Sequence, residues 1–241
     1  MIKVEACISG ETVEQSLANA LAANEGGATT IELCRSMAYD GLTPMAECVE
    51  AARSVFERPG LMTMIRPRAG GFRYNSGELE SMAKQIERAA QAGADGVVFG
   101  TLTEIGQLDE SAARSLTSLA KSLGLATTFH RAFDALPDSI AAIEALIGIG
   151  VDRILTSGIA WGATGNALDG AAALNEAIQA AAGRIEIVIA GSVSPSLAPQ
   201  VLNRLSPWRG DIAVHSYSGV QYKGKTSAAE VRALVDSVSG W

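Results

Sequence analysis

The feature that most constrains this chain is a repeated alternation of two hydrophobic patterns. Short β-rich runs stand at Lys3–Ile8, Thr29–Leu33, Leu61–Ile65, Gly96–Phe99, Ala126–Phe129, Arg153–Leu155, Ile185–Ile189 and Asp211–Val214. Between them lie Ala/Leu/Glu-rich stretches with helical spacing, such as Glu11–Asn24, Ser76–Ala92, Glu110–Leu123, Ser139–Ile147 and Ala228–Val238. Glycines that stop helices recur before the next strand, at Gly26-Gly27, Gly93, Gly124, Gly150 and Gly183. Pro44, Pro137 and Pro195 stand where a first helical turn is expected. Eight near-equal β-then-α units, with no linker between them, predict one (β/α)8 TIM barrel over residues 1–241. A doubly wound sheet is the alternative, but the regular spacing favours closure.

Composition narrows the partners. With 19 Lys+Arg against 26 Asp+Glu the net charge is −7, and no basic cluster offers the footprint that nucleic acid requires. No apolar run is long enough to cross a bilayer, and the N-terminus has no charged-then-apolar leader. Three cysteines, Cys7, Cys34 and Cys48, are too few for a disulfide framework, so a reducing cytoplasm is the expected location.

A barrel of this kind carries its site at the C-terminal ends of its strands. The first two strands end alike, in Val4-Glu5-Ala6-Cys7 and Ile31-Glu32-Leu33-Cys34. Side chains alternate along a strand, so each Glu shares a face with the Cys two residues on. Two thiols at one height above two carboxylates suit a soft metal such as Cu(I), or a carboxylate pair for acid–base chemistry. Packing as small buried hydrophobes is the plain alternative for the cysteines.

Strand three runs into Ile65-Arg66-Pro67-Arg68. Its two guanidiniums are expected either to bind an anion or to neutralise Glu5 and Glu32. Strand five ends in Phe129-His130-Arg131-Ala132-Phe133-Asp134, and strand eight in Val214-His215-Ser216. Both histidines of the chain therefore fall at strand ends, where His130, His215 and Asp134 are candidates for proton transfer or ligand binding. Gly191-Ser192-Val193-Ser194-Pro195 after strand seven, helped by Thr156-Ser157-Gly158, is a candidate anion cradle. Cys48 reads as a packing residue inside a helix; Trp161, Trp208 and Trp241 read as loop or terminal residues covering apolar surface or meeting another subunit.

Taken in order, Ile31-Glu32-Leu33-Cys34, Gly41-Leu42-Thr43-Pro44, Ile65-Arg66-Pro67-Arg68, Thr128-Phe129-His130-Arg131-Ala132-Phe133-Asp134, Leu155-Thr156-Ser157-Gly158 and Val214-His215-Ser216 resemble the CutC copper-homeostasis family. The resemblance implies a cytosolic (β/α)8 barrel, commonly a homo-oligomer, linked to Cu(I) through cysteines matching Cys7 and Cys34. The sequence departs from that pattern at Asp40, where a glycine is typical, at Gly71 in place of an acidic residue, at Ser192 within a glycine-rich loop, and in a longer Ala160–Leu168 segment. Two readings follow. In one, Cys7 and Cys34 bind Cu(I). In the other, the barrel is a metal-independent isomerase, lyase or hydrolase for a small anionic or sugar-like metabolite. There Glu5, Glu32, His130 and Asp134 are the catalytic candidates, and Arg66, Arg68, Ser157, Gly191 and His215 the substrate-binding ones.

Overall fold

Eight parallel strands close into a barrel in chain order in the computed structural model, which describes residues 2–205 and 211–241. The strands are β1 (Lys3–Ser9), β2 (Thr30–Cys34), β3 (Leu61–Met64), β4 (Gly96–Phe99), β5 (Ala126–Phe129), β6 (Arg153–Thr156), β7 (Glu186–Ile189) and β8 (Ile212–Ser216). The helices between and after them are α1 (Val13–Gly26), α2 (Ala46–Arg53), α3 (Ser76–Gln91), α4 (Glu110–Ser122), α5 (Ser139–Ile149), α6 (Ala171–Ala181), α7 (Ala198–Leu202) and α8 (Ala228–Ser237). The alternation read from the sequence is thus a (β/α)8 TIM barrel. A small hairpin, β9 (Gln221–Tyr222) with β10 (Lys225–Thr226), leads into α8.

Local chemistry sets the helix limits. Thr12 caps α1 by accepting from the Gln15 N–H, Asn75 and Glu78 form a reciprocal capping box on α3, and Asp109 and Asp138 cap α4 and α5. The prolines lie slightly outside their expected positions. Helix α2 starts after Met45 and α5 after Asp138, while Pro195 opens a turn ahead of the five-residue α7. At α5 the Asp138 side chain accepts from Ala141 N, and in the turn before α7 Ser194 Oγ accepts from Leu197 N, which proline cannot do; α2 starts without a side-chain cap.

Strand parity divides the core. Outward residues such as Ile8, Ile31, Leu61, Phe99, Phe129, Ile154 and Ile187 pack with the helices, where Cys48 of α2 is also buried. Two smaller apolar groups are separate from that layer: Cys7, Cys34, Met62, Met64 and Val98 in one, and Leu155, Val188, Ala190 and Ala213 in the other. Buried Glu5 and Arg153 accompany them, where such barrels ordinarily hold branched aliphatics. Trp161 lies over the mouth and Trp241 is part-exposed at the C-terminus; Trp208 falls outside the described residues.

Candidate functional site

The strand register arranges the first two strand ends. Glu5 pairs with Thr30 of β2 and His215 of β8; Cys7 pairs with Glu32, and Cys34 with Ser9. The expectation that both cysteines stand at one height is corrected: the stagger of the closed barrel puts Cys34 one inward position above Cys7 and brings Cys7 level with Glu32. The outcome is a tighter cluster. One ligand atom each from Cys7, Glu32 and Cys34 lie within 4.8 Å of one another, all three residues buried. Gly41, with φ +84°, makes room for it, since an added Cβ there stands 3.1 Å from Cys34 Sγ.

Beneath this cluster Glu5 is fully enclosed. Its carboxylate accepts from Thr30 Oγ1 at 2.9 Å and Arg153 Nη1 at 2.7 Å, and pairs with His215 Nδ1 at 3.0 Å. Arg153 in turn meets Glu186 at 2.6 Å, and Glu186 meets Lys3 at 3.0 Å. Arg66 and Arg68 therefore do not neutralise Glu5, the second of the two uses expected of them. That role belongs to Arg153, missed in the sequence although its position two residues before Leu155 and four before Ser157 gives it inward parity. Burial raises the Glu5 carboxyl, but the Arg153 charge and the His215 hydrogen bond overcome this and hold it below the usual carboxylate range.

His215 stands between the two glutamates, its Nε2 3.8 Å from Glu32. Burial pulls the imidazole down, while the Glu32 charge and hydrogen bonds with Cys7 and Glu5 carry it well above its ordinary value. Burial outweighs the His215 charge at Glu32 and raises that carboxyl. The thiols are also pushed up. Hydrogen bonding to Cys34, then burial, raise Cys7; at Cys34 the Cys7 bond works downward, but burial and the Glu32 charge lift it to about 11. Both thiols are neutral without a metal, which suits a buried site.

Above the cluster opens a cavity of about 400 Å³. Cys7, Glu32, Cys34, Arg66, His130, Ser157, Gly191 and His215 all line it, as do residues that sequence reasoning did not place there, Met37, Met64 and Phe72 among them. Trp161 closes one side, edge-on to Phe72 with ring centroids 4.9 Å apart and beneath the Arg131 guanidinium at 5.4 Å.

Three expected site residues lie elsewhere. Glu5 is under the cavity floor. Arg68 turns away from the mouth, pairs with Glu78, and lies over the Tyr74 ring at 5.1 Å in a separate surface depression. Proline at position 67 ends the strand, so inward parity no longer governs Arg68. Asp134 is a rim tie, accepting from Arg131 Nε at 2.8 Å, from Ser157 Oγ at 2.8 Å and from Thr156 Oγ1. Those hydroxyls are thereby spent; the Gly191 carbonyl accepts from Ala167 N at 2.9 Å, a bond that leaves the N–H groups of the expected anion cradle after β7 untouched, and Gly191, Ser192 and Val193 all line the cavity.

A profile of the CutC family matches residues 2–217. The chain belongs to the CutC family. A family protein CutC from Vibrio cholerae serotype O1 is 44% identical over 192 residues, 80% of this chain and 71% of its own. One from Bacteroides fragilis is 45% identical over 148 residues, 61% of this chain and 58% of its own. The crystal structure of CutC from Streptococcus agalactiae, a name tied there to copper homeostasis, superposes with a TM-score of 0.79 at 28% identity, covering 90% of this chain and 99% of that one. A 3-hexulose-6-phosphate synthase, at TM-score 0.67 and 19% identity over 98% of this chain and 100% of its own, shares the barrel fold with this CutC chain. Among the described residues no helix is long and apolar enough to cross a membrane.

Proposed function

We propose that this chain binds Cu(I) as cargo between Cys7 and Cys34, with Glu32 alongside. The observation that carries the reading is the convergence of these three residues' ligand atoms within 4.8 Å. The chemistry of the surroundings supports it. Met62 and Met64 pack with the two cysteines and Met37 leans on the same group, so the site is rich in soft, polarisable sulfur. A monovalent soft ion needs few ligands and carries one charge, which two thiolates more than offset. Because both thiols are protonated in the free protein, loading releases protons and weakens as pH falls.

In the same reading the protein works in the reducing cytoplasm, where Cu(I) and free thiols persist together, and as a homo-oligomer. Light scattering of the purified chain is then expected to give a mass above one chain; a monomer mass removes that part.

The test is an anaerobic Cu(I) titration against a competing chelator, with wild type beside the Cys7→Ser/Cys34→Ser variant. One equivalent per chain is expected, with affinity reduced about a hundredfold or more in the variant, as two lost thiolate bonds imply. Equal affinity in the two proteins overturns the reading.

A further inference from the structure

The copper reading uses one wall of the cavity and leaves the wall around Arg66, Phe72 and His130 unexplained. Arg66 is 2% exposed. Its Nη1 donates to the carbonyls of Tyr39 at 2.6 Å and Gly41 at 3.1 Å, and its Nη2 to that of Gly70 at 2.7 Å. Its Nε has no hydrogen-bond partner, although the Tyr74 hydroxyl lies beside the guanidinium, and among the described residues no carboxylate forms an ion pair with it. Carbonyl dipoles solvate a buried cation without neutralising it. A counter-charge is missing.

The neighbouring cations do not share this condition. Arg131 is met by Asp134, Arg153 by Glu5 and Glu186, and His215 faces Glu5 and Glu32. Asp40 reaches the cavity from an exposed rim position. This wall therefore carries one uncompensated positive charge, which matches a monoanion better than a phosphate dianion.

A second donor stands beside it. His130 Nδ1 accepts from the Ala132 N–H at 3.1 Å, so the neutral ring carries its proton on Nε2, and that atom has no partner. The Phe72 ring links the two groups, 4.8 Å from the His130 ring and 5.2 Å from the Arg66 guanidinium. On the β2 side of the same cavity Glu32 Oε1 is also buried and unpartnered. Three of the nine such atoms among the described residues belong to residues that line this one cavity, so a ligand there reaches them with a small adjustment of the walls.

We infer that the cavity binds a small hydroxycarboxylate, its carboxylate held by Arg66 Nε–H and His130 Nε2–H and a hydroxyl donating to Glu32 Oε1. A volume of about 400 Å³ accommodates a metabolite of this class. The site shares the cavity and Glu32 with the proposed copper site, but its Arg66–His130 wall does not rest on copper.

The test is calorimetric titration of the copper-free full chain with D-gluconate, D-glycerate and D-galacturonate, with D-sorbitol and inorganic phosphate as comparisons. At least one of the three acids is expected to saturate the protein below about 1 mM, the upper range of ordinary metabolite affinities. Sorbitol, which lacks the charge, is expected to bind tenfold or more weakly. Because Arg66→Gln releases three carbonyls and risks the fold, the decisive variant is His130→Asn. Its Oδ1 replaces Nδ1 as the acceptor for Ala132 while the Nε2 donor is lost. A loss of tenfold or more in acid affinity, with an unchanged circular dichroism spectrum, supports the assignment. It is overturned by no saturation with any of the three acids up to about 10 mM, a tenfold excess over that range. Sorbitol binding as tightly as the acids, phosphate binding more tightly than all three, or full acid affinity in His130→Asn each overturn it too.

Discussion

Arg153 is the residue on which the interior charge pattern depends. It is 6% exposed and touches two carboxylates, one of them 148 positions away in the chain. Replacing it by Met keeps much of the volume but leaves Glu5 buried with only His215 and Thr30 as partners. A buried ion deprived of its partner costs about 3–5 kcal/mol, so Arg153→Met is expected to lower the urea midpoint by that much stability. A loss of less than about 1 kcal/mol, the range of an exposed pair, means that the network is not a buried one in solution. Cys48, by contrast, is in no cluster of metal-ligand type among the described residues, and it packs in the core on the buried face of α2.

At the scale of elements, the loop after β6 depends on a close backbone approach. Gly158 has φ +70°, and an added Cβ there comes within 2.3 Å of the Gly170 carbonyl, just before α6. Neither atom is at the end of a flexible chain, so the loop itself must move. Gly158→Ala is therefore expected to destabilise the protein by about 1–3 kcal/mol, the range for strained backbone positions. The same change should displace Trp161 from Phe72. Thermal unfolding and Trp161 fluorescence measure the two effects, and a Gly158→Ala protein matching wild type in both shows that the approach is looser than 2.3 Å. The glycine was visible in the sequence, but only the packing of α6 against the β6 end reveals why it is there.

At the scale of the whole molecule, acid stability follows from His130. Burial and the Arg66 charge lower its pKa from 6.5 to about 3. The folded state thus keeps the ring neutral where the unfolded chain protonates it. The sign follows directly: its contribution is fully present above about pH 6.5 and is lost as pH falls from there toward 3. One proton taken up on unfolding gives a slope of at most about 1.4 kcal/mol per pH unit. Denaturant titrations at stepped pH should show this slope in wild type and a flatter one in His130→Asn; parallel curves exclude His130 as the source.

The sequence by itself determined the eight βα units, the mouth as the place of the candidate site, and the pairing of faces that puts Glu5 with Cys7 and Glu32 with Cys34. These follow from the period of a strand and of a helix, which are local properties of the chain. Only the tertiary structure decided that Cys7 stands level with Glu32, that Arg153 rather than Arg66 or Arg68 neutralises Glu5, and that Arg68 leaves the mouth while Met37, Met64 and Phe72 join it. The reason is physical. Strand stagger is fixed by closure around all eight strands, and the choice of a buried ion's partner is fixed by which charges that closure brings within contact, neither of which has a local signature.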